Sequence, residues 1–144
     1  MKLSRLLRRR PLDDGPPLAD DGSLVVVGSS FDPARSDAVV VGEMADSGVD
    51  LTRPLLLRHH LRLPDPLAVE EARRIVAQEG YQLVAEDEAA GSGGGNGDGP
   101  PVPVRISRPQ QITGIAIAQE RSRMVGLAQR LGGEVEGWDV LGHA

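Results

Sequence analysis

Adjacent His59 and His60 are the side chains of this sequence best suited to proton transfer or metal binding. Successive residues of a strand point to opposite faces, however, so two neighbouring imidazoles cannot close on one metal ion. The other histidine, His143, lies far along the chain. There is no cysteine, so thiolate zinc sites, disulfides and cysteine nucleophiles fall away together. No serine or threonine has a histidine and a carboxylate at a motif-like spacing. The acids Asp46, Asp50, Glu86, Asp87 and Glu88 fall in expected loops or at element ends, where solvated carboxylates normally lie. The run GSGGGNGDG at 91–99 invites a phosphate-loop reading. It lacks a Lys-Ser/Thr ending, and Pro100 and Pro101 follow where a helix N-terminus would be needed, so a hairpin loop is expected. No catalytic group, metal or cofactor is expected, and an enzyme is unsupported.

Recognition is the chemistry that remains. Residues Leu55 to Leu63 alternate so that Leu55, Leu57, His59, Leu61 and Leu63 share one side, with Leu56, Arg58, His60 and Arg62 on the other. That pattern is a half-buried strand, and among four leucines His59 reads as a packed imidazole hydrogen-bonded to a buried group. Arg58, His60 and Arg62, joined by Arg105 from a neighbouring strand, form an open basic face. Three uses compete for it: a solvated surface, a docking face for an acidic protein, and direct RNA binding. RNA-binding sheets read bases with stacked aromatic rings, and the expected central strands supply none. Trp138, in Glu134-Val135-Glu136-Gly137-Trp138-Asp139, poses a different question. Period-two alternation puts Val135 and Trp138 on opposite faces, so either Gly137 marks a bulge or the indole lies outside the core. Trp138 then either packs against the first helix or a loop, or stands exposed as a partner anchor.

The elements that must position these residues follow from capping and periodicity. Asp32-Pro33 predicts a helix over Pro33 to Ser47, with Asp as N-cap, Pro in the first turn, Ala38, Val41, Met44 and Ala45 inward, and Gly48 as the stop. Asp65-Pro66 repeats the signature and opens a helix over Pro66 to Glu79, with Ala68, Ala72, Ile75 and Val76 on its core stripe. Tyr81 to Glu86 and Val102 to Ser107 read as strands, Thr113 to Leu131 as a third helix, and Glu134 to Leu141 as a final strand. Two strand-helix-strand units predict an α+β fold: a ferredoxin-like βαββαβ sandwich, with a four-stranded antiparallel sheet in the order 4-1-3-2, two helices on one face, and an extra helix ahead of it. Residues 31–144 form this single domain, with the Gly-rich insert at 91–101. Residues 1–30 read as a flexible leader, basic and then Pro/Gly/Asp-rich, with one added edge strand possible at Leu24 to Val27.

Charge bounds the partner. The sequence of 144 residues carries −5, but its first ten hold five cations and no acid, so the remaining 134 sum to −10. Such a body repels free nucleic acid. No run approaches the roughly 18 apolar residues of a membrane span, and the arginine cluster Arg8 to Arg10 is followed by Pro11, Asp13 and Asp14 in place of the apolar stretch of a signal peptide; a cytoplasmic protein is expected.

Two blocks carry a family resemblance. The first is Asp46-Ser47-Gly48-Val49-Asp50, then the strand ending Arg58-His59-His60-Leu61, the helix through Ala72 to Ala77, and Gly80-Tyr81; the second runs from Leu127-Ala128 to Gly137-Trp138-Asp139. In order and spacing they resemble the D-G-S-D turn, H-H-L strand, G-Y helix end, L-A-E and Y-D-G-W segments of the regulator of ribonuclease activity B family. Val135 and Glu136 stand where that family shows Tyr and Asp. The resemblance covers Ser36 to Asp139 and implies a non-catalytic protein that binds and inhibits ribonuclease E, or a related RNA-processing partner, and so modulates RNA decay. The partner-contact residues expected from the outward strand face and the Trp138 segment are Arg58, His60, Arg62, Arg105, Glu136 and Trp138. The readings set beside it are a direct RNA-binding module on the basic face and an enzyme or small-ligand domain.

Overall fold

The structure is a computed structural model that describes residues 17–86 and 100–144. The basic cluster at 1–10 and most of the Gly-rich insert lie outside those residues. Five strands and three helices follow in the order β1 (Val25–Ser30), α1 (Asp37–Asp46), β2 (Leu55–Leu63), α2 (Pro66–Ala77), β3 (Gln82–Ala85), β4 (Val102–Gln110), α3 (Gly114–Leu131) and β5 (Glu134–Gly142). All strand pairs are antiparallel, in the order β1-β5-β2-β4-β3. The four strands expected from the sequence keep their expected order. The sheet has five strands, though, because β1 adds beside β5, so a four-stranded description is corrected. The added edge strand expected near Leu24 to Val27 is β1, Val25–Ser30, and the residues before it from 17 pack on the sheet.

The leucine-rich strand β2 is central because both of its edges are satisfied, by β4 and by β5. Leu57, His59, Leu61 and Leu63 are all at or below 1% exposure on the side covered by the helices. One end of that core joins Leu61 and Leu63 to Val69, Ala72 and Val76 of α2 and to Met124, Leu127 and Ala128 of α3. The other end packs Leu57 and Val140 with Val40 and Met44 of α1 and Ile117 of α3. Aliphatic burial of this kind contributes about 25 cal/mol per Å².

Helix starts are set by short polar side chains. Asp65 accepts from the Ala68 N–H at 2.8 Å, and Thr113 from the Ala116 N–H at 3.0 Å. Asp32, expected to cap α1, instead closes a turn by accepting from the Ala34 N–H at 2.9 Å. Ser36 is the cap, accepting from Val39. The later start rotates the inward face to Asp37, Val40 and Met44, with Ala38 and Ala45 exposed. Gly132 ends α3 at φ 79°, a left-handed value suited to glycine. Pro103 and Pro109 are tolerated in β4 because they lie outside Val104–Ser107, the only stretch paired to β3.

Candidate interaction site

The outer face of the sheet, away from the helices, collects most of the residues singled out by the sequence. Arg58 pairs across strands with Asp139 of β5 and with Ser107 of β4, while His60 lies opposite Gly137 and Arg105. Arg58 donates bidentately to Asp139, with Nε to Oδ1 at 2.8 Å and Nη2 to Oδ2 at 2.7 Å. Its Nη1 reaches Asp20 Oδ1 at 2.9 Å. Arg105 donates from Nε to the other oxygen of Asp20 at 2.7 Å, and its Nη1 lies 3.3 Å from Glu86. His60 Nε2 sits 3.2 Å from Asp139 Oδ2, close enough for charge interaction but without hydrogen-bond geometry. Burial alone would raise the Asp139 carboxyl; His60 and Arg58 outweigh it and hold the group below the ordinary carboxylate value.

The open basic patch expected from the sequence is therefore corrected. Asp20 and Asp139, at 7% and 5% exposure, neutralise its arginines, and the segment at 17–24 lies over them. Leu18 and Leu24 of that segment pack with Leu56 and Leu141. The uncovered end of the face holds Arg62, paired with exposed Glu136, and Phe31, half exposed, whose ring meets His60 edge-on at 5.0 Å. Gly137 makes room for this ring, since a Cβ there would lie 2.4 Å from Phe31 Cδ2.

Trp138 is not a surface anchor. Pairing shifts from His60↔Gly137 to Leu61↔Val135, so Glu136 is the extra residue of a bulge. The bulge turns Val135 and Trp138 to the same side, and the indole, 1% exposed, packs with Val40 and Met44 of α1. Its Nε1–H donates to Asp37 Oδ1 at 3.2 Å, while Arg121 holds Asp37 Oδ2 at 3.0 Å, tying α1, α3 and β5 together. His59 also departs from expectation. It is fully buried, yet neither ring nitrogen has a hydrogen-bond partner, and burial, aided by His60, pushes its pKa down to about 4. Tyr81 closes a third polar cluster: its hydroxyl donates to buried Glu120, Arg108 pairs with the same carboxylate at 3.1 Å, and the Arg108 guanidinium stacks 4.2 Å from the ring centre. Burial and Glu120 push the phenol well above its ordinary value.

Sequence reasoning missed Asp20, Asp139 and Phe31 as parts of the face. Asp139 had a signal, since placing the bulge at Glu136 puts the residue after Trp138 on the outer side. Asp20 and Phe31 had none, because nothing in a Pro/Gly/Asp-rich stretch predicts which acid or ring returns to the sheet.

Among the described residues, no group of three or more His, Asp or Glu side chains is placed to hold a metal ion, and no helix is long and apolar enough to cross a membrane. The described residues form an α+β domain whose buried charged groups are paired with one another. Residues 35–140 match the family described as regulator of ribonuclease activity B, and the chain belongs to that family. Its members are regulatory and non-catalytic. No curated protein and no solved structure gives a significant match.

Proposed function

We propose that this protein is a cytoplasmic regulator of RNA decay that binds ribonuclease E, or a related RNA-processing enzyme, and inhibits it, using a ferredoxin-like core with one added strand. The family match over 35–140 is the observation that carries this reading. Charge supports a protein partner over direct RNA binding. The described residues carry 16 acids and 11 arginines. Nine of those arginines are in ion pairs, including Arg58 and Arg105 on the sheet face, while acids such as Asp21 and Asp46 stand exposed at the surface. A surface of this kind repels phosphate and attracts a basic protein. The contact region we assign is the uncovered end of the outer face, His60, Arg62 and Glu136 with Phe31 beside them; Arg58 and Arg105 act from beneath, and Trp138 by holding β5 in place.

The test is a pull-down with ribonuclease E from the same cell, with RNA cleavage measured with and without this protein. Binding with slowed cleavage is expected. Unchanged cleavage and no binding would remove the proposal, and RNA affinity that falls steeply with salt and disappears on replacing Arg62 would favour an RNA-binding module instead.

A further inference from the structure

The carboxylate of Asp20 sits in a two-arginine cradle, with one oxygen on Arg58 and the other on Arg105, and its side chain is 4% exposed. The segment that delivers it joins no strand ladder: β1 pairing begins only at Val25, and the Asp20 main chain donates to Gln82 Oε1 at 3.4 Å. Asp21 to Ser23 is an exposed turn closed on itself by Asp21 accepting from Ser23. The face beneath is also incompletely satisfied. Ser107 Oγ, two residues from Arg105 on the same side of β4 and opposite Arg58, is 2% exposed and has no hydrogen-bond partner. A buried hydroxyl left unpaired carries a cost that a better-fitting acceptor would relieve.

We infer that the Arg58–Arg105 cradle is a carboxylate-binding site for a short acidic peptide with flanking apolar residues, and that the chain's own Leu18 to Leu24 occupies it in cis. The ligand class follows from the occupant. One carboxylate spans two guanidiniums, and the leucines four residues after and two before it rest on an apolar spot made by Leu56 and Leu141. Asp139 and Glu86 already contribute negative charge around the arginines, which suits a single carboxylate and opposes a polyanion. A partner segment with a leucine two residues before an aspartate and another four after it would exchange with the cis segment. Tethering gives that cis segment an effective concentration of order millimolar, so the apparent affinity for a partner is reduced by the fraction of molecules in which the cradle is filled. The site is silent until a tighter ligand arrives or the cis segment is weakened.

The experiment uses the full chain and a fluorescent peptide with the sequence of residues 17–24, PLADDGSL. Asp20→Asn in the protein removes the charge that holds the cis segment, and anisotropy titration is expected to show the peptide binding this variant at least tenfold more tightly than wild type. Adding Arg105→Gln, whose other partner Glu86 is largely exposed, is expected to abolish that gain, as is Asn in place of the first Asp of the peptide. Circular dichroism and the thermal transition establish that each variant is folded. A folded Asp20→Asn protein that binds the peptide no better than wild type would overturn the inference. So would a gain untouched by Arg105→Gln, and so would binding of a single-stranded oligouridine in place of the peptide, which would assign the cradle to phosphate. None of these readouts uses ribonuclease, so failure here leaves the proposed function standing, and the reverse holds too.

Discussion

Replacing His59 with leucine is expected to stabilise the protein, and increasingly so as pH falls. The imidazole is fully buried on the central strand, with Ile106 and Trp138 as its cross-strand neighbours and no hydrogen-bond partner for Nδ1 or Nε2. An unsatisfied buried polar group costs about 1–3 kcal/mol. Leucine has a similar volume, and imperfect repacking costs up to about 1.5 kcal/mol, which leaves a gain of about 1 kcal/mol at pH 7.5. In a domain of this size that raises Tm by roughly 3–5 °C.

Proton linkage then sets the pH dependence. The folded His59 titrates at about 4 against 6.5 for a free imidazole. Below pH 6.5 the unfolded chain binds a proton that the folded chain refuses, so wild-type stability falls with pH until about pH 4 and then levels off. The full difference is about 3 kcal/mol at 1.36 kcal/mol per pH unit. The leucine variant lacks this limb, so its advantage grows from about 1 kcal/mol at pH 7.5 to about 4 kcal/mol at pH 4. Urea unfolding followed by far-ultraviolet circular dichroism at pH 7.5, 5.5 and 4.5 measures it. A variant less stable than wild type at pH 7.5, or an advantage constant across pH, would show that the imidazole is satisfied in solution.

Other substitutions test the three polar clusters. Asp139→Asn removes the bidentate partner of half-buried Arg58, which keeps Asp20, and is expected to cost about 1.5–3 kcal/mol at neutral pH, as for a hydrogen bond to a charged group, read from urea midpoints. Because its folded pKa is lowered, the stability Asp139 supplies is present above the ordinary carboxylate value and lost as pH falls through the folded one, so the wild-type advantage should shrink as pH falls below the ordinary carboxylate value. Trp138→Phe breaks the indole bond to Asp37 and is expected to cost about 1–3 kcal/mol. Wild-type tryptophan emission should be blue-shifted and move to the red on unfolding, since Trp138 is the only tryptophan. Glu136→Arg breaks a half-exposed pair, so its effect on stability should stay within about 1 kcal/mol, while affinity in the ribonuclease E pull-down drops; unchanged affinity would move the contact region elsewhere.

Much of the fold was legible because β2 declares itself. The alternation from Leu57 to Leu63 assigns both faces, and Asp65 and Thr113 announce their helices through capping that involves no distant contact. The start of α1 was misplaced because Asp32-Pro33 and Ser36 are both good caps in isolation, and only packing of Val40 and Met44 on Trp138 decides between them. The face carrying Arg58, His60 and Arg62 was legible as a surface but not as a charge state. Its counter-ions come from residue 20 and residue 139, 38 and 81 positions away, and no local rule links such separations. Trp138 was ambiguous for a similar reason: a one-residue bulge inverts every inside-outside assignment beyond it.

The sheet order also bears on how the chain is made. Strand β5, the last described element to be synthesised, sits in the interior between β2 and β1, and pairs residue 142 with residue 25. Until Glu134–Gly142 has left the ribosome, β1 has no partner and the central strand has one bare edge. Closing the sheet therefore waits on contacts of high sequence separation, residue 25 with residue 142 and residue 56 with residue 141, which slows folding. A stop codon between Leu131 and Glu134 would remove not a peripheral strand but the seam that joins β1 to the rest of the sheet.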